Sequence, residues 1–207
     1  MAAHSGSQEP SAINPKWIMK HAEARFVITD AKSMMVHHTI VWNIVVLASD
    51  PWTMYDFTPA SVIPRKSSEI NLLVREESSD GRVLAQPRTT DMSCGNLLQK
   101  SFLIELGEPL MPGDESRTLY IEYDWEEPDR YYQYGFGLPY KRFKFALTSP
   151  PELHVEPTVY RIDNASGEKI KESEVALIRK NRDDGSSYYE WIGTGLQFST
   201  YRLDFTK

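Results

Sequence analysis

The chain has 207 residues, of which 41% are hydrophobic and 12% aromatic, and its formal net charge is −6. This length suits one large β domain, and the apolar content is enough for a core without disulfides or metals as staples. The acidic balance argues against a protein that coats nucleic acid, because phosphate binding depends on positive charge. No apolar stretch reaches the roughly 20 residues of a membrane span.

The first residues are small and polar. We therefore predict a disordered segment at 1–14, followed by a single domain at 15–207. The segment does not have the basic start and apolar run of a signal peptide. Cys94 is the only cysteine, which excludes an internal disulfide and suits a reducing compartment. We expect a cytoplasmic protein.

The pair Asn14-Pro15 can start a short helix that carries Trp17, Ile18 and His21, because proline is well tolerated in a first helical turn. The alternative is an irregular lead-in segment. The chain beyond this point is predicted to be β.

The clearest strand runs from Ser33 to about Ala48. Its even-numbered residues, Met34 to Val46, are almost all apolar, whereas the odd-numbered residues are mixed. Alternation with a period of two places each set on one side of a sheet. β-branched residues, which favour strands, dominate the segment. This pattern predicts a long strand with one side on the core.

Further strands and turns follow at short intervals. The predicted strands are 70–75, 82–84, 97–106, 118–125, 142–147, 154–162, 175–180, 188–192 and 196–205. The turn signals are Asp50-Pro51, Ser78–Gly81, Met111–Asp114 and Asp163–Gly167, and a polar loop is expected at 86–95. About nine to eleven antiparallel strands without a long helix predict an all-β sandwich or barrel, with a sandwich preferred.

The strands, the Pro112-Gly113 turn and the aromatic-rich loops resemble the broad group of immunoglobulin-like sandwich domains. The resemblance is architectural and extends over most of the chain. The Cys…Trp…Cys framework of immunoglobulin domains is absent, because Cys94 stands alone. Sandwiches of this kind have many unrelated functions, so the resemblance implies a fold and no activity.

The densest feature of the sequence is the stretch 125–144, here named the aromatic-to-basic segment. Its aromatic rings can stack on a ligand or partner, and its cations can meet phosphate or carboxylate groups. These candidate binding residues are Trp125, Tyr131, Tyr132, Tyr134, Phe136, Tyr140, Lys141, Arg142 and Lys144. The alternative is a long loop between strands that folds back over one end of the sandwich.

Catalysis, metals and cofactors receive little support. His37 and His38 are adjacent on a strand, so their side chains point to opposite faces and cannot easily bind one metal. Either is expected to be a structural residue. Cys94 has no local signature of a nucleophile, and acidic runs such as 124–129 are expected to be solvated loops. No cofactor and no metal site is predicted.

Three functions remain open. The first is a non-catalytic recognition module, a protein–protein adaptor or sensory domain that uses loops at one end of the sandwich. The second is a receptor for a small anionic, nucleotide-like ligand, which needs Lys141, Arg142 and Lys144 beside the aromatic rings. The third is an enzyme of unfamiliar type, which needs two or more of His37, His38, His154 and the acidic residues to converge in one pocket. The oligomeric state stays open.

Overall fold

The computed structural model describes residues 17–47, 50–135, 140–163, 166–172, 178–195 and 199–206. These residues form β-strands and one 3-10 turn, Ser67–Glu69. In chain order the strands are β1 (Trp17–Asp30), β2 (Met35–Val46), β3 (Trp52–Phe57), β4 (Leu73–Glu77), β5 (Arg88–Asp91), β6 (Phe102–Leu110), β7 (Arg117–Glu126), β8 (Tyr131–Gly135), β9 (Tyr140–Ser149), β10 (Glu156–Ile162), β11 (Lys169–Lys171), β12 (Ile178–Asn181), β13 (Ser187–Gly195) and β14 (Thr200–Thr206).

The strands form three sheets. The largest has seven strands in the order β12-β13-β9-β1-β2-β7-β4, and the others have the orders β11-β10-β14-β8 and β3-β6-β5. Neighbouring strands are antiparallel except β1 and β9, which are parallel. A parallel pair cannot be joined by a hairpin, so the long stretch of chain between β1 and β9 crosses the molecule and returns.

One face of the seven-stranded sheet packs against both smaller sheets. Phe26 on β1 contacts Tyr132 on β8, with ring centroids 4.5 Å apart. Trp42 on β2 contacts Tyr55 on β3 at 4.4 Å. A single buried cluster includes residues from all three sheets. This arrangement confirms the predicted all-β sandwich; its immunoglobulin-like subclass and the division into segment and domain stay predictions.

The strand predicted from the alternating pattern at 33–48 is confirmed as β2. Its even-numbered residues are buried from Val36 to Val46, and most odd-numbered residues are only half-buried. The predicted hairpin turn at 78–81 is also present: Gly81 has φ +82° and its N–H donates to the carbonyl oxygen of Ser78 at 3.0 Å. Both features depend on neighbours close in sequence.

The prediction of a helix starting at Asn14-Pro15 is wrong for the part of this segment that the structure describes, which begins at Trp17. Trp17, Ile18 and His21 lie in β1, where Trp17 pairs with Val46 of β2. β1 has β2 on one side and β9 on the other, so its backbone groups bond to two strands, which outweighs a local preference for a helical turn. Residues 1–16 lie outside the described residues.

The prediction of fewer strands also differs from the fourteen found in the described residues. β5 lies in the stretch predicted to be a polar loop, and all four of its residues are exposed. β8 lies in the aromatic-to-basic segment, which was predicted to be a loop. Short strands at sheet edges bury little, so they lack the apolar alternation that identifies longer strands. The described part of the chain contains no helix with the length and hydrophobicity of a membrane span.

Candidate functional site

A cleft lies where the four-stranded sheet meets two loops, one after β3 and one before β6. It has a volume of about 520 Å³, within the range of ligand pockets. We name it the β8 cleft. Its lining residues are Thr58, Pro59, Ala60, Ser61, Val62, Asn96, Leu98, Gln99, Glu127, Asp129, Tyr131, Tyr132 and Gln133.

The two loops of the β8 cleft are held to each other by backbone hydrogen bonds. The N–H of Lys100 donates to the carbonyl oxygen of Pro59, and the N–H of Ser61 donates to that of Leu98, both at 2.9 Å. The Ser61 hydroxyl donates to the carbonyl oxygen of Glu126 at 2.6 Å. These bonds connect the loops to the end of β7, so the walls are formed without a ligand.

The third wall is β8, an edge strand of the four-stranded sheet. Its pairing partner is β14, in antiparallel register from Tyr131 opposite Asp204 to Gly135 opposite Thr200. The ladder extends one step further, where the N–H of Phe205 donates to the carbonyl oxygen of Arg130 at 2.9 Å. The cleft therefore has a strand edge along one side.

A histidine and a carboxyl group meet below the cleft. His38 is fully buried on the core face of β2, and its ring stacks on Tyr123 with centroids 4.4 Å apart and planes 6° apart. Its Nε2 lies 3.4 Å from Oε1 of Glu127. Neither ring nitrogen of His38 makes a hydrogen bond with a described residue. A polar group in this state is costly in a protein interior.

Burial shifts the pKa values of this pair in opposite directions. It lowers the pKa of His38 to about 3, and the neighbouring His37 adds to the effect. It raises the pKa of Glu127 to about 8, with a further contribution from Asp129. Both groups are therefore neutral at pH 7, and their contact is not an ion pair despite the short separation. Glu127 offers the cleft a carboxyl that can donate as well as accept a hydrogen bond.

Two of the predicted binding residues, Tyr131 and Tyr132, line the β8 cleft. The ring of Tyr131 lies under the Arg202 guanidinium, whose Cζ is 3.6 Å from the ring centroid. The ring of Tyr132 faces the core and contacts Phe26. Tyr132 is thus both a wall of the cleft and a part of the interior.

Three other predicted aromatic residues, Trp125, Tyr134 and Tyr140, are not among the lining residues of the cleft. Trp125 is buried, and its Nε1 donates to the carbonyl oxygen of Ile63 at 2.8 Å. Tyr140 is buried, with its hydroxyl 3.2 Å from that of Tyr134. Phe136 lies outside the described residues. Trp125 and Tyr140 support the fold, and a contact with a ligand through either stays a prediction.

Two of the predicted cations, Arg142 and Lys144, lie on the outer face of the seven-stranded sheet, and Lys141 is exposed. Lys144 projects from the outer face of the seven-stranded sheet, where its Nζ lies 2.6 Å from Glu23 Oε1 and 3.6 Å from Glu190 Oε2. Arg142, which pairs with His21 across β1, is exposed, and so is Lys141. The sequence places cations and rings close together along the chain, but strand alternation separates Lys144 from the core-facing tyrosines.

The three histidines considered for catalysis do not share a pocket. His37 lies on the outer face with its Nδ1 2.8 Å from Asp124 Oδ1. His154 lies 3.7 Å from Glu156 in an exposed pair. His38 is below the β8 cleft. Within the described residues, no group of three His, Cys, Asp or Glu side chains could hold a metal ion.

A second depression, of about 490 Å³, lies between the 78–84 hairpin and the β6–β7 turn. One of its lining residues, Arg117, already bonds to the buried carboxyl of Glu76 at 3.3 Å and to the carbonyl oxygens of Glu108 and Pro109. Burial raises the pKa of Glu76 to about 7 even though Arg117 opposes the shift. Because Arg117 already has these partners within the protein, the β8 cleft is the better candidate for a binding site.

Sequence reasoning missed the two loops of the cleft and the His38–Glu127 contact. Leu98 lies at the start of the strand predicted at 97–106, where an apolar residue is expected. One signal was available: His38 interrupts the apolar face of β2, which marks a polar group directed at the core. Its partner lies 89 positions further along the chain, and no local pattern connects the two.

Comparisons with known proteins identify a fold. No protein-family model matches the chain, and no curated protein is similar to it in sequence. It is similar to the crystal structure of a putative protease from Parabacteroides distasonis, with a TM-score of 0.58, 11% identity, and coverage of 93% of this chain and 40% of that one. It is also similar to an M1 zinc metallopeptidase mutant from Deinococcus radiodurans bound to a Tyr-Ser-Ala substrate, with a TM-score of 0.53, 11% identity, and coverage of 91% and 42%.

A third similar structure is a mutant of a two-domain M1 zinc metallopeptidase bound to L-arginine. Its TM-score is 0.51 at 11% identity, and the match covers 91% of this chain and 42% of that one. The chain thus spans about two-fifths of the length of the structures it resembles. Similarity at this level of identity concerns the fold and not the activity.

Proposed function

We propose that this chain is a non-catalytic recognition domain that binds a segment of a partner protein in the β8 cleft. The observation that carries the proposal is the combination of a preformed cleft with exposed apolar side chains on its two loops. Val62 is 51% exposed and Leu98 is 50% exposed, and both line the cleft. Glu127 adds a neutral hydrogen-bonding group at its base.

This mixture of groups favours a protein partner. Protein interfaces combine apolar side chains with aromatic rings and a limited number of polar groups. The β8 cleft has Val62 and Leu98 on its two loops, Tyr131 on the strand wall, and two exposed amide side chains, Gln99 and Gln133. Exposed apolar groups gathered at one concave site typically mark a binding surface.

The similar structures support a role beside another domain. In each, the matching fold occupies about two-fifths of a longer chain, and one is described as a two-domain zinc metallopeptidase. We propose for this chain the same arrangement, in which a β-sandwich accompanies a further domain. We do not propose a peptidase activity for it. The partner can then be a separate protein or another domain of a larger assembly.

The receptor for an anionic ligand has less support at this site. The acidic residues of the lining are Asp129 and Glu127, of which Glu127 is neutral at pH 7, and no lysine or arginine is among the described lining residues. An anion would therefore meet no cationic side chain in the described lining. We also propose a cytoplasmic location, because Cys94 is the only cysteine and its exposed thiol is compatible with a reducing compartment.

A charge placed on the cleft wall tests the proposal. Leu98→Glu is expected to weaken binding of the partner at least tenfold, because the new carboxylate must lose its water on binding, and the thermal unfolding midpoint should not change. The partner is first isolated from the host with the wild-type chain, and its affinity for each purified variant is then measured by calorimetry.

The matched control is Val83→Glu, which alters an even more exposed apolar residue (66%) outside the cleft. It should bind the partner as the wild type does. Equal affinities of the partner for Leu98→Glu and the wild type would contradict the proposal.

A further inference from the structure

The backbone of β8 has one side that bonds to β14 and one side that faces the cleft. In an antiparallel pair, the two backbone groups of a residue point together to one neighbour, and successive residues alternate between the two sides. Because the N–H of Phe205 donates to the carbonyl of Arg130, the backbone groups of Arg130 point to β14. By the same alternation, the N–H and C=O groups of Tyr132 also point to β14. It follows that the N–H and C=O groups of Tyr131 and Gln133 point to the free edge.

This free edge opens into the β8 cleft. Tyr131 and Gln133 both line the cleft, and Gln133 is exposed. An added strand lies about 4.8 Å from its neighbour, so a strand paired with Tyr131 and Gln133 would occupy the β8 cleft that these residues line. The backbone groups of the edge are therefore accessible to an extended chain.

The other sheet edges of the described structure carry charged side chains. Those edge strands are β3 with Asp56, β4 with Arg75, β5 with Arg88, β11 with Lys169 and β12 with Lys180. Charged residues, lysine above all, are how natural sheets prevent unwanted pairing at their edges.

β4 is also covered along part of its edge, because the N–H of Leu84 donates to the carbonyl oxygen of Glu76 at 3.0 Å. Within the part of the chain that the structure describes, β8 (Tyr-Tyr-Gln-Tyr-Gly) is the edge strand without a charged residue. It also contains no proline, which would remove an N–H from the edge. The sequence of β8 thus permits the pairing that the other edges oppose.

From the free backbone edge, its uncharged sequence and the adjoining cleft, we infer that the partner segment binds as an added strand of the four-stranded sheet, with its backbone bonded to Tyr131 and Gln133. The inference rests on the proposed function and specifies how the partner is held. The partner is an extended segment of a protein, recognised mainly through its main chain and supported by Val62 and Leu98 on the opposite wall. Such a segment has no proline at the positions that bond to β8.

The main-chain bond at Gln133 can be removed without changing the sheet. Gln133→Pro lacks the N–H that faces the cleft, and proline is tolerated at an edge position of this kind. Gln133→Ala is the matched control, because it removes the same side chain and keeps the N–H. The probe is a phage-displayed library of random twelve-residue linear peptides, selected on the folded wild-type chain.

Selected peptides are expected to lose at least tenfold in affinity for Gln133→Pro and less than twofold for Gln133→Ala. A second measurement does not depend on the folding of a variant: N-methylation along a selected peptide should abolish binding at alternate positions only, since every second residue bonds to β8. Tolerance of N-methylation at every position, with full binding to Gln133→Pro, would overturn strand addition.

The variant Leu98→Glu distinguishes failure of the added-strand inference from failure of the proposed function. If the peptides bind Gln133→Pro normally but do not bind Leu98→Glu, the cleft is still the binding site and only the added-strand inference is overturned. Peptides that bind both variants like the wild type would overturn both proposals, as would a selection that enriches no peptide.

Hydrogen exchange provides a test by residue. In the free chain the amides of Tyr131 and Gln133 should exchange rapidly, whereas the amide of Tyr132, bonded to β14, should be protected. Binding of a selected peptide should slow exchange at Tyr131 and Gln133 at least tenfold. Protection that is confined to the 96–99 loop would overturn the inference.

Discussion

Two glutamates with little exposed surface behave in opposite ways, and the contrast separates two regions of the molecule. Glu23 lies on the outer face of the seven-stranded sheet and is 4% exposed. Its Oε2 accepts a hydrogen bond from Arg25 Nη2 at 3.0 Å, and Lys144 Nζ lies 2.6 Å from its Oε1. Glu127 lies at the base of the β8 cleft, is 9% exposed, and contacts the neutral ring of His38.

The charges around each carboxyl decide its state. Burial acts to raise the pKa of Glu23, but hydrogen bonds from His21, Arg25 and Lys144 outweigh it and hold the pKa well below its usual range. No lysine or arginine among the described residues pairs with Glu127, so burial raises its pKa to about 8. On the outer face, the charge of Glu23 is thus balanced by neighbouring cations. In the cleft, Glu127 remains available for a hydrogen bond to a partner.

The largest expected effect concerns Glu23 on the outer face. Glu23→Gln should lower the free energy of unfolding at pH 7 by roughly 2–4 kcal/mol, because Arg25 and Lys144 lose a buried counter-charge. The folded-state pKa of Glu23 is lowered, so its contribution is present above the ordinary value of 4.5 and is lost as the pH falls. Urea denaturation at pH 7 and pH 3 measures both effects.

The control for this prediction is Glu190→Gln, which removes a more exposed carboxylate of the same network, 3.6 Å from Lys144. It should cost about 1 kcal/mol or less. Equal losses for the two variants would contradict the central role of Glu23.

The next effect concerns Glu127 in the β8 cleft, where removing the carboxyl is expected to raise the free energy of unfolding at high pH. The folded-state pKa of Glu127 is about 8, above its ordinary 4.5. The folded chain keeps a proton that the unfolded chain releases, so this contribution to stability is present below pH 4.5 and is lost as the pH rises through 8. Glu127→Gln stays neutral and should be more stable than the wild type by roughly 1–3 kcal/mol at pH 9.

The gain from Glu127→Gln should disappear near pH 5, which denaturation curves at the two pH values can check. Asp129→Asn is the control, because it removes an exposed carboxyl close to Glu127 and should give a smaller change. A wild type that is as stable as Glu127→Gln at pH 9 would show that Glu127 ionises normally in the folded chain.

The smallest effect is at His38. His38→Phe keeps a ring against Tyr123 and removes two nitrogens that lack hydrogen bonds to described residues. It should be neutral or stabilising by about 1 kcal/mol at pH 7. The folded-state pKa of His38 is about 3, below the ordinary 6.5, so wild-type stability is lost as the pH falls through this window.

The advantage of His38→Phe should therefore increase from pH 7 to pH 4 in thermal unfolding. A destabilised variant at pH 4 would indicate that the imidazole has a polar partner in solution. It would then resemble the satisfied groups of the outer face, and the contrast between the two regions would be lost.

The sequence by itself determined the fold class and several elements. The alternation along 33–48 predicted β2 and its buried face, because the period of two follows from backbone geometry. Glycine at position 81 predicted its turn, because a residue without Cβ adopts positive φ at low cost. Such features depend on residues a few positions apart, so they can be derived from a local pattern.

Only the tertiary structure decided which residues meet. Trp17 is in a strand and not a helix because β2 and β9 lie on either side of β1. The aromatic-to-basic segment is divided between the cleft, the core and the outer face by the alternation of β8 and β9. The contact of His38 with Glu127 and the free edge of β8 depend on strand order and long-range pairing, which short-range sterics and composition leave undetermined.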